Sequence, residues 1–263
     1  MRFAYILFVI FLLALFSGCG VNGEAKTVDS LDQIQTEQSE KEKIITNGMA
    51  NIGQEVLAEA VSGEVNSDGV TVVGEPDSEQ VIVNKDRKLP DGYEPPDLMI
   101  PDVAFQAVNQ ERKHLRKPAA LALEKLFKAA EEDGIELVAV SGYRRYETQV
   151  YLYNRNVEVK GKEYADQYSA KPGHSEHQTG LAMDVSAASV AFDLVEAFEE
   201  TPEGQWVAEN AHKFGFVIRY PKGKSDITGY NYEPWHLRYV GPEIATSIHK
   251  QNVTIEKFFG LVE

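Results

Sequence analysis

Ser175-Glu176-His177-Gln178-Thr179-Gly180-Leu181-Ala182-Met183-Asp184-Val185 decides how this 263-residue chain folds and what it can hold. Leu181 to Val185 is an apolar run of the length of a buried strand, and it carries Asp184 inward. His177 and Asp184 are seven positions apart. On one uninterrupted strand that odd separation would send them to opposite faces. Gly180 lies between them, and a turn or bulge there can bring both to one point. A second stretch, Glu233-Pro234-Trp235-His236, answers the first downstream. Glu233 and His236 stand at i and i+3, as neighbours on a helical turn or tight loop. Pro234 argues for a rigid bend there and against a long helix.

Two histidines and two carboxylates are what a catalytic zinc centre needs: three ligands, one open position for water, and a separate carboxylate as base. We read His177, Asp184 and His236 as ligands of one Zn2+ ion and Glu233 as the base. Other divalent ions also suit such a donor set. A third motif is Val140-Ser141-Gly142-Tyr143-Arg144-Arg145, between the apolar run Ile135–Val140 and a helical stretch from Glu147. An arginine at a strand-to-helix junction can reach into a cleft, where its fork of donors suits a carboxylate or a developing oxyanion.

S-G-Y-R, S-x-H-x-x-G-x-A-x-D and E-P-W-H, in this order, resemble the VanY-type D-alanyl-D-alanine carboxypeptidases, zinc metallopeptidases that trim peptidoglycan stem peptides. The resemblance runs from about Val81 to the C-terminus and includes Leu89-Pro90-Asp91-Gly92-Tyr93-Glu94-Pro95-Pro96-Asp97-Leu98. It implies zinc on His177, Asp184 and His236, catalysis by Glu233 and transition-state stabilisation by Arg144. It also implies substrate contacts from Ser175 and Gln149, and Tyr143 is a further candidate. His174, three positions before His177, is expected beside the site and not on the metal. The implied reaction is release of the terminal D-Ala from a pentapeptide stem. The alternatives are an L,D-carboxypeptidase acting on tetrapeptide stems, a D,D-dipeptidase, and a wall-binding module without hydrolysis. The presence of both Glu233 and Arg144 speaks against the last.

The N-terminus suggests a compartment. Met1-Arg2 precedes an apolar stretch, Ala4 to Phe16, that is short for a bilayer span. It ends at Leu15-Phe16-Ser17-Gly18-Cys19, which resembles a bacterial lipoprotein signal. Residues 1–18 are then the signal peptide and Cys19 the lipidated residue, although Phe16 stands where Leu is usual. Cys19 is the single cysteine, so no internal disulfide can form. Several acyl chains anchor a protein stably where one does not. The expected location is the extracytoplasmic face of a bacterial cell membrane.

Residues 19–79 read as an acidic, disordered tether without aromatics. Residues 20–100 carry 17 acidic and 6 basic side chains, so most of the net charge of −15 belongs to that part. An acidic chain gives no support to nucleic-acid binding. Residues 80–263 then form one catalytic domain, expected to act as a monomer. Helices are expected over Pro118–Asp133, Glu147–Asn156, Phe192–Phe198, Gln205–Lys213 and Pro242–Lys250, with strands at Val81–Val83, Phe216–Tyr220 and Trp235–Tyr239. Helices and strands without regular alternation argue for an α+β fold. The resemblance implies a small antiparallel sheet flanked by helices around a central zinc cleft, as in Hedgehog and D,D-peptidase domains.

Overall fold

The computed structural model describes residues 56–106 and 109–262. The signal peptide, Cys19 and the tether up to residue 55 lie outside them. Within them the chain starts with a short helix, α1 (residues 56–61), and a small sheet of β1 (Gly63–Val65), β2 (Thr71–Val73) and β3 (Arg87–Lys88). β1 and β2 pair antiparallel, and β2 and β3 parallel. Residues 56–73, expected within the tether, instead contain α1, β1 and β2. Arg87 is the physical reason: its buried guanidinium donates to the carbonyls of Ala60, Val61 and Ser62 and draws this stretch onto the domain. Val81–Val83, expected as a strand, is buried but unpaired, and Arg87–Lys88 takes the strand role.

β4 (Leu98–Met99) and β5 (Leu115–Arg116) form a two-stranded ribbon that leads into α2 (Lys117–Glu132). Pro118 suits the first turn of that helix, where its missing N–H costs nothing. Ala119, Leu123, Leu126 and Ala130 recur at helical spacing and are buried against the sheet. Gly134, at φ +76°, follows its end. β6 (Val138–Ser141) then opens the main sheet. The hairpin of α3 (Tyr146–Lys160) and α4 (Lys162–Tyr168) follows, and then β7 (Ala182–Ser186), whose five residues are all buried. α5 (Pro202–Asn210) is capped by the Thr201 hydroxyl accepting from the Gly204 N–H. β8 (Phe216–Ile218), α6 (Ser225–Thr228), β9 (His236–Tyr239), α7 (Pro242–Gln251) and α8 (Ile255–Phe258) complete the chain. The main sheet runs β6-β7-β9-β8, antiparallel throughout.

This is the expected α+β fold with a small antiparallel sheet. One expected helix is absent: Phe192–Phe198 is replaced by short 3-10 turns at Ala188–Val190 and Glu196–Glu200. Ala191 and Phe192 both have positive φ, which no α-helix accommodates.

Four buried charges lie beneath the sheet. Glu176 Oε1 accepts from Arg219 Nε and from Arg238 Nη1, each at 2.8 Å. Arg219 also donates through Nη1 to Glu256 Oε2 on α8, at 3.0 Å. Arg238 reaches the carbonyls of Glu79 and Val81. Two guanidinium groups and two carboxylates balance, which is what makes their burial tolerable. Arg219→Met leaves Glu176 and Glu256 short of a partner, so a loss of about 3–5 kcal/mol is expected in urea denaturation. Burial alone would push the Glu256 carboxyl up; Arg219 outweighs it and holds the group below the ordinary 4.5. That contribution is complete above pH 4.5 and is lost as pH falls toward the depressed folded value. Glu256→Gln should therefore be less stable at neutral pH, with a flatter decline in acid than the parent protein.

Candidate active site

His177 sits on one 3-10 turn, Glu176–Thr179, which Gly180 ends at φ +68°. A Cβ at Gly180 would lie 2.9 Å from Arg116 Cγ and 3.0 Å from Leu98 Cδ2, so both the backbone and the space require glycine. β7 then carries Asp184 into position, and the β7–β9 register sets it directly opposite His236. Glu233 and His236 lie on a tight turn, closed by the His236 N–H donating to the Glu233 carbonyl at 3.2 Å. The two motifs thus meet as the glycine and the i, i+3 spacing predict.

The ligand atoms of His177, Asp184 and His236 lie within 4.8 Å of one another, and all three residues are buried. His177 Nδ1 is 2.8 Å from the Gly142 carbonyl, which can only accept, so the ring proton sits on Nδ1. Burial, reinforced by Arg144 against the pull of Asp184, lowers His177 to about 3 and keeps the ring neutral. The lone pair of Nε2 then faces Asp184 Oδ2 at 3.5 Å. Two electron-rich atoms facing one another in a buried site make a cradle for a cation.

Asp184 Oδ1 lies 2.8 Å from His236 Nδ1. On the far side of that ring, His236 Nε2 faces Glu176 Oε2 at 3.6 Å, an electrostatic approach in which neither atom has a hydrogen-bond partner. Burial would lower His236, but the Asp184 and Glu176 carboxylates raise it to about 10. His177 Nε2, Asp184 and His236 Nδ1 would hold the metal. On His236 the metal would take the place of the proton shared between Nδ1 and Asp184 Oδ1, while the Gly142 carbonyl fixes the tautomer of His177 and the Glu176 carboxylate faces the outer nitrogen of His236.

The remaining groups border the same cleft, of about 290 Å³. Glu233 Oε2 is 3.9 Å from His236 Nδ1, and its side chain keeps 30 % exposure to the cleft. Burial pushes its carboxyl up to about 7, with Asp184 adding to the rise and His236 opposing it. That is the range in which a group exchanges protons near neutral pH. Arg144 is held by its own N–H to the His177 carbonyl and by Nη1 to Gln149 Oε1 at 2.9 Å. Gln149 in turn donates to the Ala170 carbonyl. Arg144 Nε is buried without a partner. Ser175 and Gln149 line this cleft as expected.

Tyr143 does not. The backbone alternates there, so Tyr143 and Arg145 face a separate hollow while Arg144 faces the metal residues. His174 is buried, with Nδ1 on the Asn84 carbonyl at 2.7 Å, away from the metal set. Trp235 packs on the core's edge and lines the cleft. Glu176, Tyr220 and Tyr230 were missed in the sequence. The signal for Glu176 was present: Arg219 and Arg238 interrupt two apolar strands, and buried arginines demand a carboxylate.

Residues 112–242 match the family model described as VanY: D-alanyl-D-alanine carboxypeptidase. The putative carboxypeptidase YodJ of Bacillus subtilis (strain 168) is 43% identical over 251 residues, 94% of this chain and 92% of that protein. Among solved structures, the LdcB LD-carboxypeptidase superposes with a TM-score of 0.73 at 48% identity, covering 76% of this chain and 95% of that one. A mutant of the vancomycin resistance D,D-pentapeptidase VanY, in complex with Zn(II), gives a TM-score of 0.54 at 33% identity, covering 68% of this chain and 97% of that one.

The anchoring of His236 by Glu176 can be tested directly. Glu176→Gln should weaken zinc affinity by about 10- to 100-fold in competition with a chromophoric chelator. Unchanged affinity would mean that the carboxylate serves only the two arginines.

Proposed function

This chain belongs to the VanY family of D-alanyl-D-alanine carboxypeptidases and is a metallocarboxypeptidase, and we propose that it removes the C-terminal D-Ala from pentapeptide stems of peptidoglycan. The observation that carries this reading is one cleft that joins the His177–Asp184–His236 cradle to Glu233 and Arg144. Bound zinc would polarise the scissile carbonyl and make a nearby water easier to deprotonate. Glu233 takes the proton from that water and later returns it to the departing amine of D-Ala. Arg144, fixed by Gln149, offers its free Nε–H to the oxyanion that develops on the carbonyl. Ser175 and Gln149 position the substrate.

A second reading, L,D-carboxypeptidase action on tetrapeptide stems, is favoured by one observation: identity to LdcB exceeds identity to VanY. The two readings share all the chemistry above and differ in the configuration of the residue before the cut. The N-terminal features extend the proposal. Residues 1–18 act as a lipoprotein signal, and lipidated Cys19 anchors the protein, as a monomer, on the outer face of the cell membrane. The acidic segment up to residue 55 gives the enzyme reach into the wall.

The test is D-Ala release from pentapeptide and tetrapeptide stems by the zinc-loaded full chain, before and after chelation. Chelator-sensitive release from the pentapeptide supports the D,D reading, and release from the tetrapeptide alone supports the L,D reading. Glu233→Ala should abolish turnover with zinc still bound, and near-normal turnover would remove its role. Arg144→Ala should lower turnover by about 10²–10³-fold without metal loss. Cys19→Ala should move the protein from the membrane fraction to the medium.

A further inference from the structure

The first residue of the S-G-Y-R motif has so far had no role. Ser141 ends β6 and is only 4% exposed. Its hydroxyl is buried and has no hydrogen-bond partner among the described residues. A buried hydroxyl in that state calls for an explanation, because burial removes the water that would otherwise satisfy it. Substrate does not supply one, since Ser141 is not part of the cleft wall.

The strand register does. Val138 and Ala139 stand opposite Ser186 and Val185, so a regular ladder would set Val140 against Asp184. The pairing instead slips by one residue between Ala139 and Ser141, and Ser141 takes the place opposite Asp184. A bulge of this kind re-aims a side chain beside a functional site. Residues directly opposed on antiparallel strands share a face, with Cβ atoms about 4.5–5.5 Å apart. The bulge therefore exchanges an apolar side chain for a hydroxyl on the face that carries Asp184.

Asp184 needs that hydroxyl once the cradle is filled. Without an ion its Oδ1 lies 2.8 Å from His236 Nδ1, which serves as its donor. As a ligand, Nδ1 gives up its proton and can no longer donate. One Asp184 oxygen then turns to the ion and the other is left buried without a donor. Arg144 also acts on Asp184, but its Nη1 is held by Gln149 and its Nε is aimed at the substrate oxyanion.

We propose that Ser141 is a positioning residue of the metal centre, whose hydroxyl donates to the Asp184 oxygen that does not hold the ion. The serine is idle in the empty site and engaged in the filled one. Adjacent residues then orient two of the three ligands: Gly142 through its carbonyl on His177, and Ser141 through its hydroxyl on Asp184.

The inference rests on the metal reading of the cradle, and its test is zinc affinity, which no substrate enters. The full chain competes for zinc with a chromophoric chelator. Ser141→Ala should bind zinc about 10- to 100-fold more weakly, and Ser141→Thr, which keeps the hydroxyl, should recover most of that loss. Thermal melting separates this role from packing. The metal-free Ala variant should melt no lower than the metal-free parent, because the hydroxyl it lacks has no partner there; with zinc it should melt lower. The zinc-loaded parent, which needs no substitution, should show Ser141 Oγ about 2.5–3.0 Å from an Asp184 oxygen. Unchanged affinity in the Ala variant, an equal loss in the Thr variant, equal melting losses with and without zinc, or a different partner for Oγ in the loaded parent would overturn the proposal. A parent that binds no zinc would remove the metal reading with it. The expected affinities together with failure to release D-Ala would leave Ser141 in its role and remove the hydrolytic reading.

Discussion

Everything around the metal cradle rests on Glu176. Its carboxylate is buried, and it is held ionised by Arg219 and Arg238, whose pull exceeds the penalty of burial. One oxygen binds both arginines, and the other faces His236 Nε2. Through Arg219 it is joined to Glu256 on α8, and through Arg238 to the carbonyls of Glu79 and Val81. The residue just before the first histidine of the cradle therefore connects β9, the residue that follows β8, the N-terminal segment and the last helix. The cradle is rigid because its floor is a closed set of charges: displacing any member leaves another unpaired in a low-dielectric interior.

The segment after β6 shows how few residues can serve two surfaces. Gly142 lends its carbonyl to His177, Arg144 reaches the metal side, and Tyr143 and Arg145 face the other hollow. A Cβ at Gly142 would lie 2.5 Å from the His114 carbonyl, so the chain passes there only as glycine. Gly142, like Gly180, was visible in the sequence as a punctuation mark. What it does became clear only once the backbones packed against it were known.

Much of the site could be read from the sequence because its residues stand in short motifs with strong local geometry. Gly180 lets His177 and Asp184 converge, and Pro234 holds Glu233 near His236. Strand and helix runs such as Ala182–Val185 and Leu123–Ala130 carry their own periodicity. What failed was long-range. Tyr143, a candidate for substrate contact, borders a different hollow from its neighbour Arg144, because side chains on an extended segment alternate. Residues 56–79 look disordered by composition, and they are ordered by one distant arginine, Arg87, gathering three carbonyls. The helix expected over Phe192–Phe198 has apolar spacing, but positive φ at Phe192 and at Ala191 before it forbids a helical start there. The role of Glu176 is also long-range: the two arginines signal a buried carboxylate, but they stand 43 and 62 positions away and do not name it.

The placement of Glu256 has a consequence for how such a chain matures. Its carboxylate belongs to α8, within the final ten residues, yet it completes the ionic floor beneath the cradle. A chain that emerges N-terminus first, whether from a ribosome or through a membrane channel, exposes every metal-binding side chain before that last carboxylate arrives. Until then Arg219 lacks half of its counter-charge, and the turn carrying His177 has no settled foundation. The catalytic centre therefore depends on a residue that follows every metal-binding side chain in the chain, and its foundation is complete only when α8 has packed beneath it.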